Sequence, residues 1–436
     1  MPVDEKPKPN PFGDEEFPLS PKMEKEREKT NIRMPVKHMV PRIIAFIVLL
    51  AGGISLIVLS VLGVFSQESG IQVINVNEDP DYKAGENITL RYYLSGNSIQ
   101  RRNQANEIAS EYSKSMKSIS KLLEEEDEII GVKSISYISR NADREVEIDE
   151  ILYKTLSSAI ENQKNPAYSI YLGPLYQRWN FWINSPDSAK TTVDPLYNVP
   201  GATVISDYID LLESGENIKL NLLGDNKVKL ELSQTYRQWL EDNEYSGPIL
   251  SLGCLKQTYQ LQVARDALIE KGYTAGILVS EDGLVAPLGG LIDTNYRLYC
   301  YDNQIGIEAG SVIPKNPKAS LSFVYQSPNP IYRHAYRIQD GEQWISRNLN
   351  IDPSTGYGAN YVSDLCLMAE TNDLIKLRLD SIAYAQKNSK TDLENALNNV
   401  EMLYSMANEN NIIHASTSFQ QILDVTNKDC SVIYHP

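Results

Sequence analysis

The stretch Asn350–Tyr361, N-I-D-P-S-T-G-Y-G-A-N-Y, decides how this chain is read. Its centre, D-P-S-T-G, has the chemistry of a tight turn. Pro353 fixes φ, Asp352 and Ser354 can bond nearby backbone amides, and Gly356 supplies a positive φ. Upstream lie two strand-like runs, His334–Gln339 and Trp344–Ile345, joined by Asp340-Gly341. Downstream comes an apolar run, Leu365–Ala369, and then helical spacing from Asp373 to Gln386. Hairpin, turn, strand and helix therefore follow one another without a long gap.

Working outward, Ile88–Leu94 and Ala319–Tyr325 read as strands, as do Val228–Leu232, Gly276–Val279, Tyr296–Tyr301 and a closing Cys430–Tyr434. Ala105–Glu128 carries Ile108, Tyr112, Met116, Ile119 and Leu123 on one helical face. Further helices are predicted from Asp149 (as N-cap) to Gln163, and over Asp207–Glu213, Ser233–Asn243, Leu261–Lys271 and Thr391–Asn408; Ser185–Gly201 reads as a loop. Helices and strands alternate without a regular βαβ period, so the fold class is α+β. Neither a glycine-rich nucleotide loop nor a G-x-S-x-G or H-E-x-x-H motif occurs.

The 436 residues carry a net charge of -16, which argues against a nucleic-acid partner. Ile43–Phe65 is an uncharged apolar run long enough to cross a bilayer as a helix. Arg33, Lys37 and Arg42 flank it on one side, so the N-terminus is expected in the cytoplasm and the bulk of the chain outside. The predicted organisation is a disordered cytoplasmic tail over 1–42, a single transmembrane helix over 43–65 acting as signal-anchor, a juxtamembrane linker over 66–87, and an extracytoplasmic domain over 88–436 in the plasma membrane. Cys254, Cys300, Cys366 and Cys430 all fall on the outer side, where disulfides can form in a pairing the sequence leaves open. The four histidines, His38, His334, His414 and His435, show no metal-ligand spacing.

Five motifs in order carry a resemblance. They are S-I-S-Y-I-S-R-N (Ser134–Asn141), E-I-D-E-I-L-Y-K-T-L (Glu147–Leu156), Y-S-I-Y-L-G-P-L-Y-Q-R-W-N-F (Tyr168–Phe181), L-S-L-G-C-L-K-Q-T-Y (Leu250–Tyr259) and I-D-P-S-T-G-Y (Ile351–Tyr357). Together they resemble landmarks of the bacterial ApbE family, the FAD:protein FMN transferases, from about Ile88 to the C-terminus. The resemblance implies an ApbE-like fold outside the membrane and, in working members, phosphoryl transfer. A target threonine attacks the FAD pyrophosphate, FMN is esterified and AMP leaves. That chemistry needs a cation and a base. The family holds magnesium with an Ala carbonyl of Ala-Lys-Gly and with an Asp and a Thr four residues apart on the late helix. A His three residues before the Asp of D-P serves as base.

By the same comparison, Lys256 falls on the metal-binding Ala, with Gln257 and Thr258 for Lys and Gly. Lys376 falls on the Asp ligand, Asp380 on the Thr, Leu349 on the His, and Asp282 on one of two glycines, beside the retained Gly283. A protonated lysine repels a dication. The resemblance thus nominates Tyr259, Gly283, Asp352, Thr355, Lys256 and Lys376 as contacts to a flavin cofactor and leaves Asp380 as the one candidate metal ligand. FAD is the candidate ligand, and the substitutions argue against magnesium. The expectation is a membrane-anchored, catalytically degenerate member that acts as a binding or scaffolding module beside other membrane or exported proteins. The alternative is an active FMN transferase with a rearranged site.

Overall fold

The structure is a computed structural model that describes residues 70–77, 84–85, 87–290, 295–302, 305–325 and 335–436. The chain divides into two units, Met1–Ser66 and Gln67–Pro436. The predicted tail 1–42 and membrane helix 43–65 lie outside the described residues, as does His334. Among the described residues no helix is long and apolar enough to cross a membrane.

The frame of the second unit is a nine-stranded sheet. Its strands are β1 (Gly70–Ile74), β2 (Ile88–Leu94), β3 (Gly276–Ser280), β4 (Leu284–Pro287), β5 (Ala319–Tyr325), β6 (Val362–Glu370), β7 (Glu401–Met406), β8 (Ile412–Ser416) and β9 (Ser431–His435). They lie side by side in chain order. Every neighbouring pair is antiparallel except β8 and β9, which run parallel. The fold class is α+β, as the sequence predicts.

Four helices position the cavity described below: α1 (Ser98–Leu122), α2 (Gly173–Asn184), α3 (Lys256–Glu270) and α4 (Leu374–Ala385). α1 begins at a capping box between Asn97 and Gln100. Its predicted apolar face is fully buried at Ile108, Tyr112, Met116 and Ile119, and Tyr112 donates a hydrogen bond of 2.7 Å to the Ile88 carbonyl of β2. α2 starts at G-P-L, with the proline in the first turn, where its missing N–H costs nothing. Gly173 is required there because a side chain would run into the backbone of Pro248 and Ile249. α4 takes Asp373 as N-cap, which accepts a bond of 2.9 Å from the Lys376 amide.

The hairpin before the opening motif forms as predicted, with strands Ala335–Asp340 and Gln343–Asn348 in antiparallel register. Beyond it, the D-P-S-T-G turn is closed by amide bonds from Thr355 and Gly356 to the Asp352 carbonyl at 3.2 and 2.8 Å. The Asp352 carboxylate accepts from the Ser354 amide at 2.8 Å and hydroxyl at 2.7 Å. The turn is locked onto the core by Trp179, fully buried on α2, whose indole N–H donates to the Gly356 carbonyl at 2.8 Å.

Three expectations are corrected. Part of the segment read as linker, residues 70–74, is an edge strand of the main sheet. The stretch read as a loop holds a short helix, Lys190–Val193, and the start of the helix Val199–Glu213, whose Pro200 sits in the first turn and so opens the helix. The helix predicted over Thr391–Asn408 stops at Leu397, and Glu401–Met406 is strand β7. That strand is buried at every position after Glu401. A fully buried strand loses the alternation that would reveal it, and Leu393, Leu397, Val400 and Tyr404 mimic a helical face.

Candidate functional site

A cavity of about 420 Å³ opens where α1, α2, α3 and α4 meet the β3–β4 turn and the segment before the D-P-S-T-G turn. Its charged lining comprises Glu125 and Glu126 after α1, Lys256 at the start of α3, Glu281 and Asp282 in the β3–β4 turn, and Arg378 on α4. Tyr176, Asn180, Cys254, Gln257, Leu349 and Asn350 complete much of the wall.

Arg378 is the anchor. Its side chain is 4 % exposed and its guanidinium donates to the Phe323 carbonyl at 2.6 Å and the Asp282 carbonyl at 2.9 Å. The Asp282 carboxylate lies 3.6 Å from the same guanidinium and also accepts from the Ser280 hydroxyl. The Asp282 amide in turn donates to the Gln257 side chain at 3.2 Å, tying the turn to α3. Gly283 sits at φ +100°, and a side chain there would meet the Phe323 carbonyl at 2.6 Å. Its small size therefore serves the packing of the β3–β4 turn on β5.

Glu125 is buried and accepts from the Ser251 hydroxyl at 2.8 Å and the Leu252 amide at 2.9 Å. Burial raises its pKa above the ordinary carboxylate value, while Lys256, the Leu252 amide and the Ser251 hydroxyl pull the other way. Burial likewise pushes the Cys254 thiol up to about 11, although Arg378 and the Tyr176 hydroxyl oppose it. No side chain caps the N-terminus of α3, whose first residue is Lys256; a helix start and an ammonium together favour an anion there.

The nominated residues are not all brought together. Lys256, Asp282 and Leu349 line the cavity. Lys376 and Asp380 do not: they line a separate depression with Glu370, Asp373 and Gln421, and are bonded to each other at 2.6 Å. The predicted grouping of Lys376 and Asp380 with Lys256 is thus corrected by helix phase. From α4 it is Arg378 that reaches the cavity, and sequence reasoning missed it. Tyr259 is buried against the helix Glu150–Asn162, its hydroxyl donating to Ser158 at 3.1 Å and accepting from Asn162 at 3.3 Å. Asp352 and Thr355 are spent on their own turn, the Thr355 hydroxyl accepting from the Tyr357 amide at 3.3 Å.

The residues present do not fit the magnesium set that the family resemblance implies. α4 offers the cavity a guanidinium and no carboxylate–hydroxyl pair, Asp282 is engaged by Arg378, and Glu125 by Ser251 and Leu252.

No family model matches the chain, and no curated protein does. Solved structures do. The ApbE protein from Thermotoga maritima is 18% identical with a TM-score of 0.54, covering 77% of this chain and 96% of that one. The flavin transferase ApbE from Vibrio cholerae is 13% identical with a TM-score of 0.50, covering 77% and 95%. The apo flavinyl transferase ApbE of Pseudomonas stutzeri is 14% identical with a TM-score of 0.50, covering 82% and 98%. The chain has the ApbE-like α+β fold, over nearly the full length of these structures.

Proposed function

We propose that this protein is an ApbE-fold binding module that has lost FMN transfer and is held at the plasma membrane by Ile43–Phe65. The observation that carries the reading is on α4: Arg378, tied to the β3–β4 turn, is the side chain this helix gives to the cavity, and the positions matched to the metal ligands, Lys376 and Asp380, lie outside it. Leu349 lines the same wall and offers no proton acceptor. The ligand we assign to the cavity is FAD or a similar dinucleotide. Lys256 and the start of α3 would receive its pyrophosphate, and Arg378 would keep Asp282 from repelling it.

Incubation of the purified full chain with FAD, magnesium and a threonine-bearing acceptor peptide is expected to leave the peptide unmodified by mass spectrometry. Efficient flavinylation would overturn the reading and point to Glu125 as the proton acceptor. FAD fluorescence titration is expected to give binding that needs no magnesium and weakens at least tenfold in K256E, a change of about 1.4 kcal/mol. Anchoring is checked by alkaline extraction of membranes, where release of the chain into the soluble fraction would exclude it.

A further inference from the structure

The C-terminal end of the sheet gathers a second constellation. β8 and β9 pair in parallel with Ser416 opposite His435 and His414 opposite Ile433. Alternation along the strands then puts His414 and His435 on the same face. Their rings meet with His414 Nδ1 3.0 Å from His435 Nε2. The other nitrogen of His414, Nε2, lies 2.6 Å from a carboxylate oxygen of Glu409. An ionised carboxylate only accepts, so the hydrogen belongs to His414 Nε2, and in the neutral ring Nδ1 is left as a lone pair facing His435. The ring of Tyr404 stacks on His414 at 5.0 Å and 11°, which holds its plane. Lys390 clamps the far oxygen of Glu409 at 2.6 Å and stands 4.0 Å from Glu394. One carboxylate oxygen of Glu394 and a nitrogen from each histidine lie within 4.8 Å of one another.

We propose that His414 Nδ1, His435 Nε2 and Glu394 form a binding site for a zinc-class divalent cation, distinct from the cavity. Two nitrogens each about 2.0–2.1 Å from a tetrahedral zinc stand roughly 3.3 Å apart, so the observed 3.0 Å needs a shift of only a few tenths of an ångström. Glu409 is the outer partner that fixes the tautomer of His414, as carboxylates behind metal-bound histidines do. Two imidazoles and one carboxylate suit zinc or a similar transition ion and not magnesium or calcium, which prefer oxygen throughout. Three protein ligands leave a fourth position for water. Charge permits it: Glu394 and Glu409 against Lys390 leave one net negative charge to meet the dication. The sequence hides the site because the two histidines are 21 positions apart and adjoin only through strand pairing.

The test uses the full chain without a polyhistidine tag, stripped with chelator and titrated with zinc against a chromogenic competitor. One zinc per chain is expected, with no competition from excess magnesium. Cobalt(II) in its place should give the visible bands of a four-coordinate ion. H435A should abolish stoichiometric uptake, and E394Q should weaken it. E409Q should weaken it about 10–100-fold while leaving the cobalt spectrum in place. Absence of stoichiometric zinc, or uptake unchanged in both H435A and E394Q, would overturn the site and leave a plain hydrogen-bonded chain from His435 through His414 to Glu409.

Discussion

Arg378 and Lys376 sit two positions apart on α4, and their environments are opposite. The Arg378 side chain is 4 % exposed and bonds two backbone carbonyls; that of Lys376 is 69 % exposed and bonds Asp380 one turn along. A buried guanidinium is costly to desolvate and persists only where carbonyls and a carboxylate surround it, so its position is specified by the whole fold. An exposed i,i+4 pair is specified by little beyond its own helix. Buried charge marks where this protein holds structure and site together.

The largest expected effect comes from another buried ionisable group. Asp364 on β6 is 4 % exposed, and burial pushes its pKa up to about 8 against an ordinary 3.8, with Arg337 pulling the other way. The native state therefore holds this proton more tightly than the unfolded chain. The contribution is full below about pH 4 and is lost as pH rises through about 8. Chemical denaturation at a series of pH values should show stability declining across that window, by as much as about 5 kcal/mol from this group. D364N should flatten the decline. An unchanged slope in D364N would mean that a partner of Asp364 compensates its charge.

Next comes R378M. It leaves the Phe323 and Asp282 carbonyls without their donor and the Asp282 carboxylate without its cation. A loss of about 2–4 kcal/mol is expected in urea denaturation. A loss below about 1 kcal/mol would show that water replaces the guanidinium and that the cavity is wetter than its lining implies.

The opening motif supplies a middle-sized effect and shows what was legible. N-I-D-P-S-T-G-Y announces a turn through residue chemistry that acts locally, and the turn forms with Asp352 and Gly356 in the expected roles, while the Ser354 hydroxyl donates to the Asp352 carboxylate instead of bonding an amide. Ile88–Leu94 and Ala319–Tyr325 were likewise readable to the residue because alternation and bounding turn residues are local signals. The function-bearing geometry was not local. Whether Arg378 or Lys376 reaches the cavity depends on how α4 rolls against the sheet, and His414 meets His435 only once β8 and β9 pair. G356A tests the local part. Gly356 holds φ +75°, and a side chain would meet Ile205 Cγ2 at 2.5 Å and Ile209 at 3.1 Å. A cost of about 1–3 kcal/mol is expected in thermal or urea unfolding, with folding retained. A neutral result would mean that the turn packs more loosely on the helix Val199–Glu213 than Trp179 suggests.

K376A should do the least. The pair it removes is largely solvated, and such pairs contribute under about 0.5 kcal/mol, less again in high salt. The bond to Asp380 raises the Lys376 pKa, against desolvation. Its small contribution therefore holds below the ordinary lysine range and fades only as pH climbs through the raised value, in alkaline solution. The informative readout is ligand binding beside stability. With Arg378 as the α4 side chain at the cavity, K376A should bind FAD as tightly as the parent chain, while K256E loses at least tenfold, or about 1.4 kcal/mol. Equal losses in the two variants would mean that α4 presents its other face to the ligand. Lys376 and Asp380 would then return to the site from which the helix phase removes them, and the contrast between the two faces of α4 would dissolve.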